Sequence, residues 1–249
     1  MIKLFRNIRQ NLLNEGKTSK YFKYAIGEIV LVVIGILIAL SINNWNEKQK
    51  QKKQLDAIYT TVQQNLKTDL KNIKIPIEFF EKLDSTLTKI LTTTYSTSFL
   101  DSINEINHLQ CIPCKSNINM YEPFEKQDNG FELLKKYEDN ESIKGNEFSQ
   151  DIIQFYTTQG KKLNTFSEVL IKEAYSNLKY YEQFLWYSDY SIGKYNPDAI
   201  AYFLNDQNYK NKAANFKIFI GRNHLKNLKD YEASATDFIS KIEKRKKAL

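Results

Sequence analysis

The sequence predicts an all-α protein, with one N-terminal transmembrane helix that runs on into the first helix of an extracytoplasmic, antiparallel helical bundle. Three observations carry this. Prolines and glycines are few, four and eight in 249 residues, whereas a β-rich chain of this size needs turn residues at short intervals. The stretch Ala25 to Ile42 has a single charged residue, Glu28. Beyond it, apolar residues recur at helical spacing over long distances. Three regions follow: a basic cytoplasmic tail at 1–23, a transmembrane helix at 24–45 and a helical-bundle domain at 46–249.

In the tail, Ile2, Phe5, Ile8 and Leu12 recur at helical spacing with Lys3, Arg6 and Arg9 between them. Such a basic amphipathic helix suits an anionic lipid surface. The net charge of +7 raises nucleic acid as a partner, but the adjacent apolar run makes lipid the nearer one, and no nucleic acid is expected.

As a helix, the apolar run is roughly 27 Å long, close to the bilayer core of roughly 30 Å. Tyr21, Phe22 and Tyr24 flank one side and Trp45 the other, where an aromatic belt belongs. Glu28 sits near the boundary, where a charge costs less than at the centre, and Lys20 and Lys23 are within reach. Gly35 and Ala39 share its helical face, and a small-xxx-small pair permits close helix approach. Glu28, Gly35 and Ala39 therefore form a candidate helix interface, for a homodimer or a membrane partner. Ala39-Leu40-Ser41 is a poor cleavage site, and more than twenty residues precede the run, so an uncleaved signal anchor is expected. Positives before the span (Lys3, Arg6, Arg9, Lys17, Lys20, Lys23) modestly outnumber those after it (Lys48, Lys50, Lys52, Lys53). That bias places the N-terminus in the cytoplasm and the domain outside the cytoplasmic membrane.

After the span, Leu55, Ile58, Val62, Leu66, Leu70 and Ile73 form one helical face, with no breaker before Pro76. A second helix is expected from Ile77, with Pro76 near its start, and a third, short one within Phe99–Leu109. Residues 110–129, with both cysteines, Pro113 and Pro123, read as irregular. Phe131–Tyr137 reads as helical, followed by a turn. From Asn146, a good N-cap, Phe148, Ile152, Phe155, Leu163, Phe166, Leu170, Leu178, Tyr181 and Leu185 share a face, with Gly160 as an interruption. A short helix carries Pro197 near its N-terminus. The last helix, from about Asn211 to Lys244, turns Phe216, Ile220, Leu228, Phe238 and Ile242 inward. Helices of this length pack as a bundle.

The pattern from Tyr24 to Glu47, with Glu28 and the exit Ile42-Asn43-Asn44-Trp45-Asn46-Glu47, resembles the uncharacterised single-pass membrane proteins of Bacteroidota, a domain-of-unknown-function family (number six-zero-nine-zero). The stretch from Gly130 to Thr157 resembles a family segment of helix, loop and helix more loosely, since its loop departs from the usual small, Gly-containing one. The resemblance implies one membrane span and an α-helical domain. It implies no activity and no catalytic residues.

The sharpest constellation of chemistry-bearing residues is His108, Cys111 and Cys114. A closed zinc site needs four ligands; a thioredoxin motif needs a surrounding βαβ pattern; a haem site needs a histidine where Lys115 stands. A local disulfide, free thiols, and metal or redox chemistry all remain open, with Cys111 and Cys114 as the disulfide candidate and His108, Cys111 and Cys114 as weak metal candidates. His224 reads as solvated on a lysine-rich face. Tyr180, Tyr181, Phe184, Trp186, Tyr187 and Tyr190 read as core or interface packing, with a ligand platform as the alternative. The sequence has no Gly-rich phosphate loop, nucleophile elbow or helix-borne metal motif, so no cofactor and no catalytic residue is expected. The reading is a membrane-anchored interaction or sensor-like module; the alternative is thiol/disulfide or metal-dependent activity at Cys111 and Cys114.

Overall fold

The computed structural model describes residues 18–139 and 147–247. The basic stretch 1–17 and the expected cap Asn146 lie outside the described residues. The chain divides into two compact units, with the boundary between Asp56 and Ala57. Among the described residues there are helices, turns and irregular segments but no strand.

The first unit is the leading part of helix α1, Thr18–Asn72. Lys, Glu, Gln and Asn continue the helix beyond Trp45, and most of these are strong helix formers. From Ile26 to Trp45 the large apolar side chains are exposed on every side, Val33 at 47% and Ile29 at 64%. An apolar surface of this extent is unfavourable in water. The helix is long and apolar enough to cross a membrane.

The second unit is a bundle of three long helical runs. The first is α1 from Ala57 together with α2, Lys74–Thr92. Ile73 joins them with helical angles, donating its N–H to Asp69 O at 2.8 Å and accepting from Ile77 N–H at 3.1 Å. Pro76 has no N–H to return to Asn72, which disturbs the helix locally. The expected start at Ile77 is thus corrected: α2 begins three residues earlier and buries Pro76 itself. Within α1, Ile58, Val62, Leu66 and Ile73 are buried, but Leu70 is only half-buried and Asp69 takes the core position. A stripe of 62, 66, 69 and 73 follows the 3.6-residue turn better than one through 70.

The second run joins α5, Glu147–Phe155, to α6, Lys161–Tyr180, through a π-helical turn at Tyr156–Gly160. Gly160 therefore widens the helix without breaking it, and the side chain of Lys126 lies over it: a Cβ there would come within 2.9 Å of Lys126 Cε. Leu185, expected on the apolar face, is instead fully exposed, because the helix ends at Tyr180. The third run joins α9, Gln207–Lys217, to α10, Lys226–Lys247, through a π-helical stretch at Ile218–Leu225. Phe216, Ile220, Leu228, Phe238 and Ile242 are all buried.

Cross-helix pairs set the directions. Gln63 and Lys67 reach Glu243, Asp69 meets Tyr231, Phe80 meets His224, and Asp84 meets Lys217. As one number rises the other falls, so the third run is antiparallel to the first. Phe148 against Phe238, Phe155 against Tyr231, and Asn177 against Lys212 make the second and third runs antiparallel as well.

An extended segment fills the remaining side of the bundle. It follows α3, Thr97–Ser102, passes Ile118, Tyr121 and Phe124, and ends in α4, Asn129–Glu138. Without helix or sheet, its buried backbone groups must find side-chain partners. Ser116 N–H donates to Tyr190 Oη at 3.2 Å and Asn117 N–H to Tyr209 Oη at 3.0 Å. Asn177 Nδ2 donates to Ile118 O, and Asp69 Oδ1 accepts from Gln127 N–H, each at 2.9 Å. Gly130 N–H donates to Asn65 Oδ1 at 2.7 Å. Gly130 is required here, because a Cβ would stand 2.7 Å from Val62 N.

Candidate functional site

Where α2 ends, the chain makes a series of tight turns. Ser96 caps α3 by accepting the Phe99 N–H at 3.2 Å, as a serine N-cap does. Asn107 Oδ1 accepts the Asn104 N–H at 2.8 Å, and two short 3-10 turns follow, His108–Gln110 and Ile112–Cys114. Cys111 and Cys114 are joined in a disulfide, with Cα atoms 5.2 Å apart. Cys114 is buried against Ile103, Ile200 and Leu204. These last two belong to α8, Pro197–Asn205, which begins where Asn196 caps it.

His108 does not turn toward the sulfurs. Its Nε2 lies 3.1 Å from Gly193 O, while Nδ1 lies 3.1 Å from Glu105 O and 3.3 Å from Asn104 O. The ring packs edge-on against Tyr195. Gly193 supplies its carbonyl from a left-handed conformation, φ +74°, which glycine adopts without strain. Among the described residues, no group of three or more His, Cys, Asp or Glu side chains is arranged to hold a metal. Sulfurs bonded to each other are not thiolates, the form that attacks or ligates.

Beside the disulfide, the turns at one side and α6, α7 (Tyr187–Ser191) and α8 at the other enclose a half-open recess of about 500 Å³. Cys114, Leu178, Ala199 and Ile200 form apolar lining. Lys115 and Lys194 also line it, together with Tyr187 and Tyr190. Lys194 pairs with Asp189 at 3.2 Å, and Asn196 donates to the other oxygen of that carboxylate at 3.0 Å. These contacts hold the Asp189 carboxyl below its usual range, the Asn196 hydrogen bond most of all.

The aromatic concentration read from Tyr180 to Tyr190 forms core around this site. Tyr181 and Trp186 are buried with Tyr202, Phe203 and Tyr209, and Phe184 stacks on Trp186 at 4.9 Å. Tyr181 Oη shares a hydrogen bond with Ser116 Oγ at 2.8 Å. Tyr187 and Tyr190 alone of the six reach the recess. On α1, Glu28 is half-buried and Gly35 and Ala39 are exposed; nothing stands within 4 Å of a Cβ placed on Gly35.

Two buried polar residues emerge that the sequence reading did not assign. His224 is fully buried, correcting the expectation of a solvated ring. It packs edge-on against Phe80 at 4.8 Å, neither ring nitrogen has a hydrogen-bond partner, and burial lowers its pKa to about 4. Its place in the series Phe216, Ile220, His224, Leu228 was the available signal. Asp69 is fully buried as well. It accepts from Tyr231 Oη at 2.6 Å and from the Gln127 N–H. Burial raises its pKa, and those two hydrogen bonds oppose the rise.

The fold defines an all-α chain with one candidate N-terminal membrane helix. Residues 28–130 match the model described as Family of unknown function (DUF6090), the family whose pattern the stretch from Tyr24 to Glu47 resembles. The match runs from Glu28 through α2, the disulfide turns and the extended segment to Gly130. No curated protein and no solved structure matches the chain.

Proposed function

We propose that this protein is a membrane-anchored interaction or sensor-like module. In this reading, α1 crosses the bacterial inner membrane once, the basic N-terminal tail stays in the cytoplasm, and the bundle works in the periplasm. The observation that carries it is α1 itself: a stretch exposed and apolar on all sides belongs to the same unbroken helix that supplies core residues to the bundle unit. The excess of positive residues before the span supports the orientation, and a disulfide suits an oxidising compartment. Glu28, Gly35 and Ala39 offer a face for a second copy or a membrane partner, which Gly35→Ile would obstruct.

The decisive experiment is co-purification from native membranes after in vivo crosslinking, alongside reporters fused after Leu249. A recurrent membrane or periplasmic partner, with activity only from a reporter that works in the periplasm, is the expected result. Activity only from a cytoplasmic reporter would overturn the orientation.

A further inference from the structure

We propose that the recess beside the Cys111–Cys114 disulfide binds a small anionic amphiphile: one short acyl chain ending in a carboxylate or a phosphate. This rests on reading the bundle as a ligand-responsive module and names what it responds to. The size fits, since about 500 Å³ falls in the range of roughly 300–1,000 Å³ for small-molecule sites. The chemistry is asymmetric. Leu178, Ala199, Ile200 and the buried Cys114 give an apolar lining that can take a hydrocarbon chain. Lys115 gives positive charge, the charge of Lys194 is offset by Asp189 at 3.2 Å, and among the described residues no carboxylate itself lines the recess.

Lysine donates and never accepts, so exposed Lys115 favours an anionic head group over a neutral one. Asp189 takes two partners, Lys194 and Asn196, which holds Lys194 in place and leaves exposed Lys115 as the cation without that carboxylate. The rest of the wall is preorganised. The His108 ring is fixed between carbonyls on both sides, and Tyr190 is held by the Ser116 N–H. Among the lining residues, Leu109 is 62% exposed, an apolar threshold suited to an incoming chain and wasteful for a fully polar ligand.

The test uses the full chain in phosphatidylcholine nanodiscs with a diazirine-bearing octanoic acid as photoprobe, and mass spectrometry to locate the label. The expected result is labelling of peptides containing Leu109, Leu178 or Ile200, competed by octanoate or octyl phosphate but not by octan-1-ol. Whichever anion competes better assigns the head group. Octanoate should compete roughly fifteenfold better than hexanoate, from two methylenes at about fourfold each. Lys115→Glu, at an exposed position, should weaken labelling about tenfold while circular dichroism stays unchanged; Leu178→Trp, which fills the cavity, should abolish it. Labelling confined to α1, equal competition by octanol, or an undiminished Lys115→Glu would each overturn the proposal. Such a failure with a partner still recovered from membranes removes the ligand and leaves the module reading standing.

Discussion

Replacing Gly130 by alanine tests the packing of the extended segment against α1. The added Cβ would sit 2.7 Å from Val62 N and 2.8 Å from both Val62 Cα and Asn65 Oδ1. Two of these atoms are backbone of a long helix, so the neighbour cannot swing away. Overpacking of this kind costs about 1–3 kcal/mol. The shift also lengthens the Gly130 N–H to Asn65 Oδ1 bond, now 2.7 Å, worth about 1 kcal/mol. Against this, alanine gains at most about 1 kcal/mol of helix propensity, and less at the second residue of α4. The clash wins, by about 2–3 kcal/mol. For a domain of this size each kcal/mol shifts the melting temperature by roughly 2–4 °C, so a fall of roughly 4–12 °C is expected. Near-ultraviolet circular dichroism follows the loss of tertiary packing around the buried aromatic residues of the bundle. Gly35→Ala is the control, since nothing stands within 4 Å of its Cβ, and it should leave the transition unmoved. A Gly130→Ala protein as stable as wild type would refute the close approach of α4 to Val62.

Other perturbations probe the buried polar groups and the disulfide. His224 binds its proton more weakly folded, with a pKa of about 4 against an ordinary 6.5. Its contribution is therefore complete above pH 6.5 and is lost as pH falls toward 4, by up to about 3 kcal/mol; His224→Phe should flatten that part of a denaturant-midpoint profile. Asp69 acts in the opposite sense, since its raised pKa makes the folded state bind the proton more tightly, so Asp69→Asn should steepen the acid loss in the same assay. Tyr231→Phe removes the 2.6 Å donor to Asp69 and should cost about 1–3 kcal/mol by urea unfolding; an unchanged midpoint would dismiss that bond. Reducing Cys111–Cys114, which closes a loop across a separation of three residues, should cost about 2 kcal/mol, read as the shift in urea midpoint with and without reductant.

What could be read from the sequence follows what each residue type must do alone. An apolar run as long as Ala25–Ile42 leaves few choices of environment, and the stripe Phe216, Ile220, Leu228, Phe238, Ile242 reports its own burial. His224 and Asp69 defeated the same logic because a polar side chain usually marks the solvent face; here each occupies a core position, and Leu70 gave way to Asp69. The irregular stretch at 110–129 was legible as non-helical but not as core. Its partners, Tyr209, Asn177 and Asp69, are 92, 59 and 58 residues away, beyond the reach of local pattern. The recess was equally hidden, since Lys115, Leu178 and Ile200 become neighbours only when α6 and α8 close over the disulfide turns.

The extended segment also constrains the order of events as the chain folds. Helices form from neighbours within a turn, whereas every side-chain partner holding Ser116, Gln127 and Gly130 comes from a distant part of the sequence, and contacts of this kind come with a loop-closure entropy. The segment is therefore expected to settle last, once Tyr190, Tyr209, Asp69 and Asn65 are already in place. Pulse-labelled hydrogen exchange during refolding should show the amides of Ser116, Asn117, Gln127 and Gly130 gaining protection after those of α2 and α10; simultaneous protection would mean that the helices themselves wait for it.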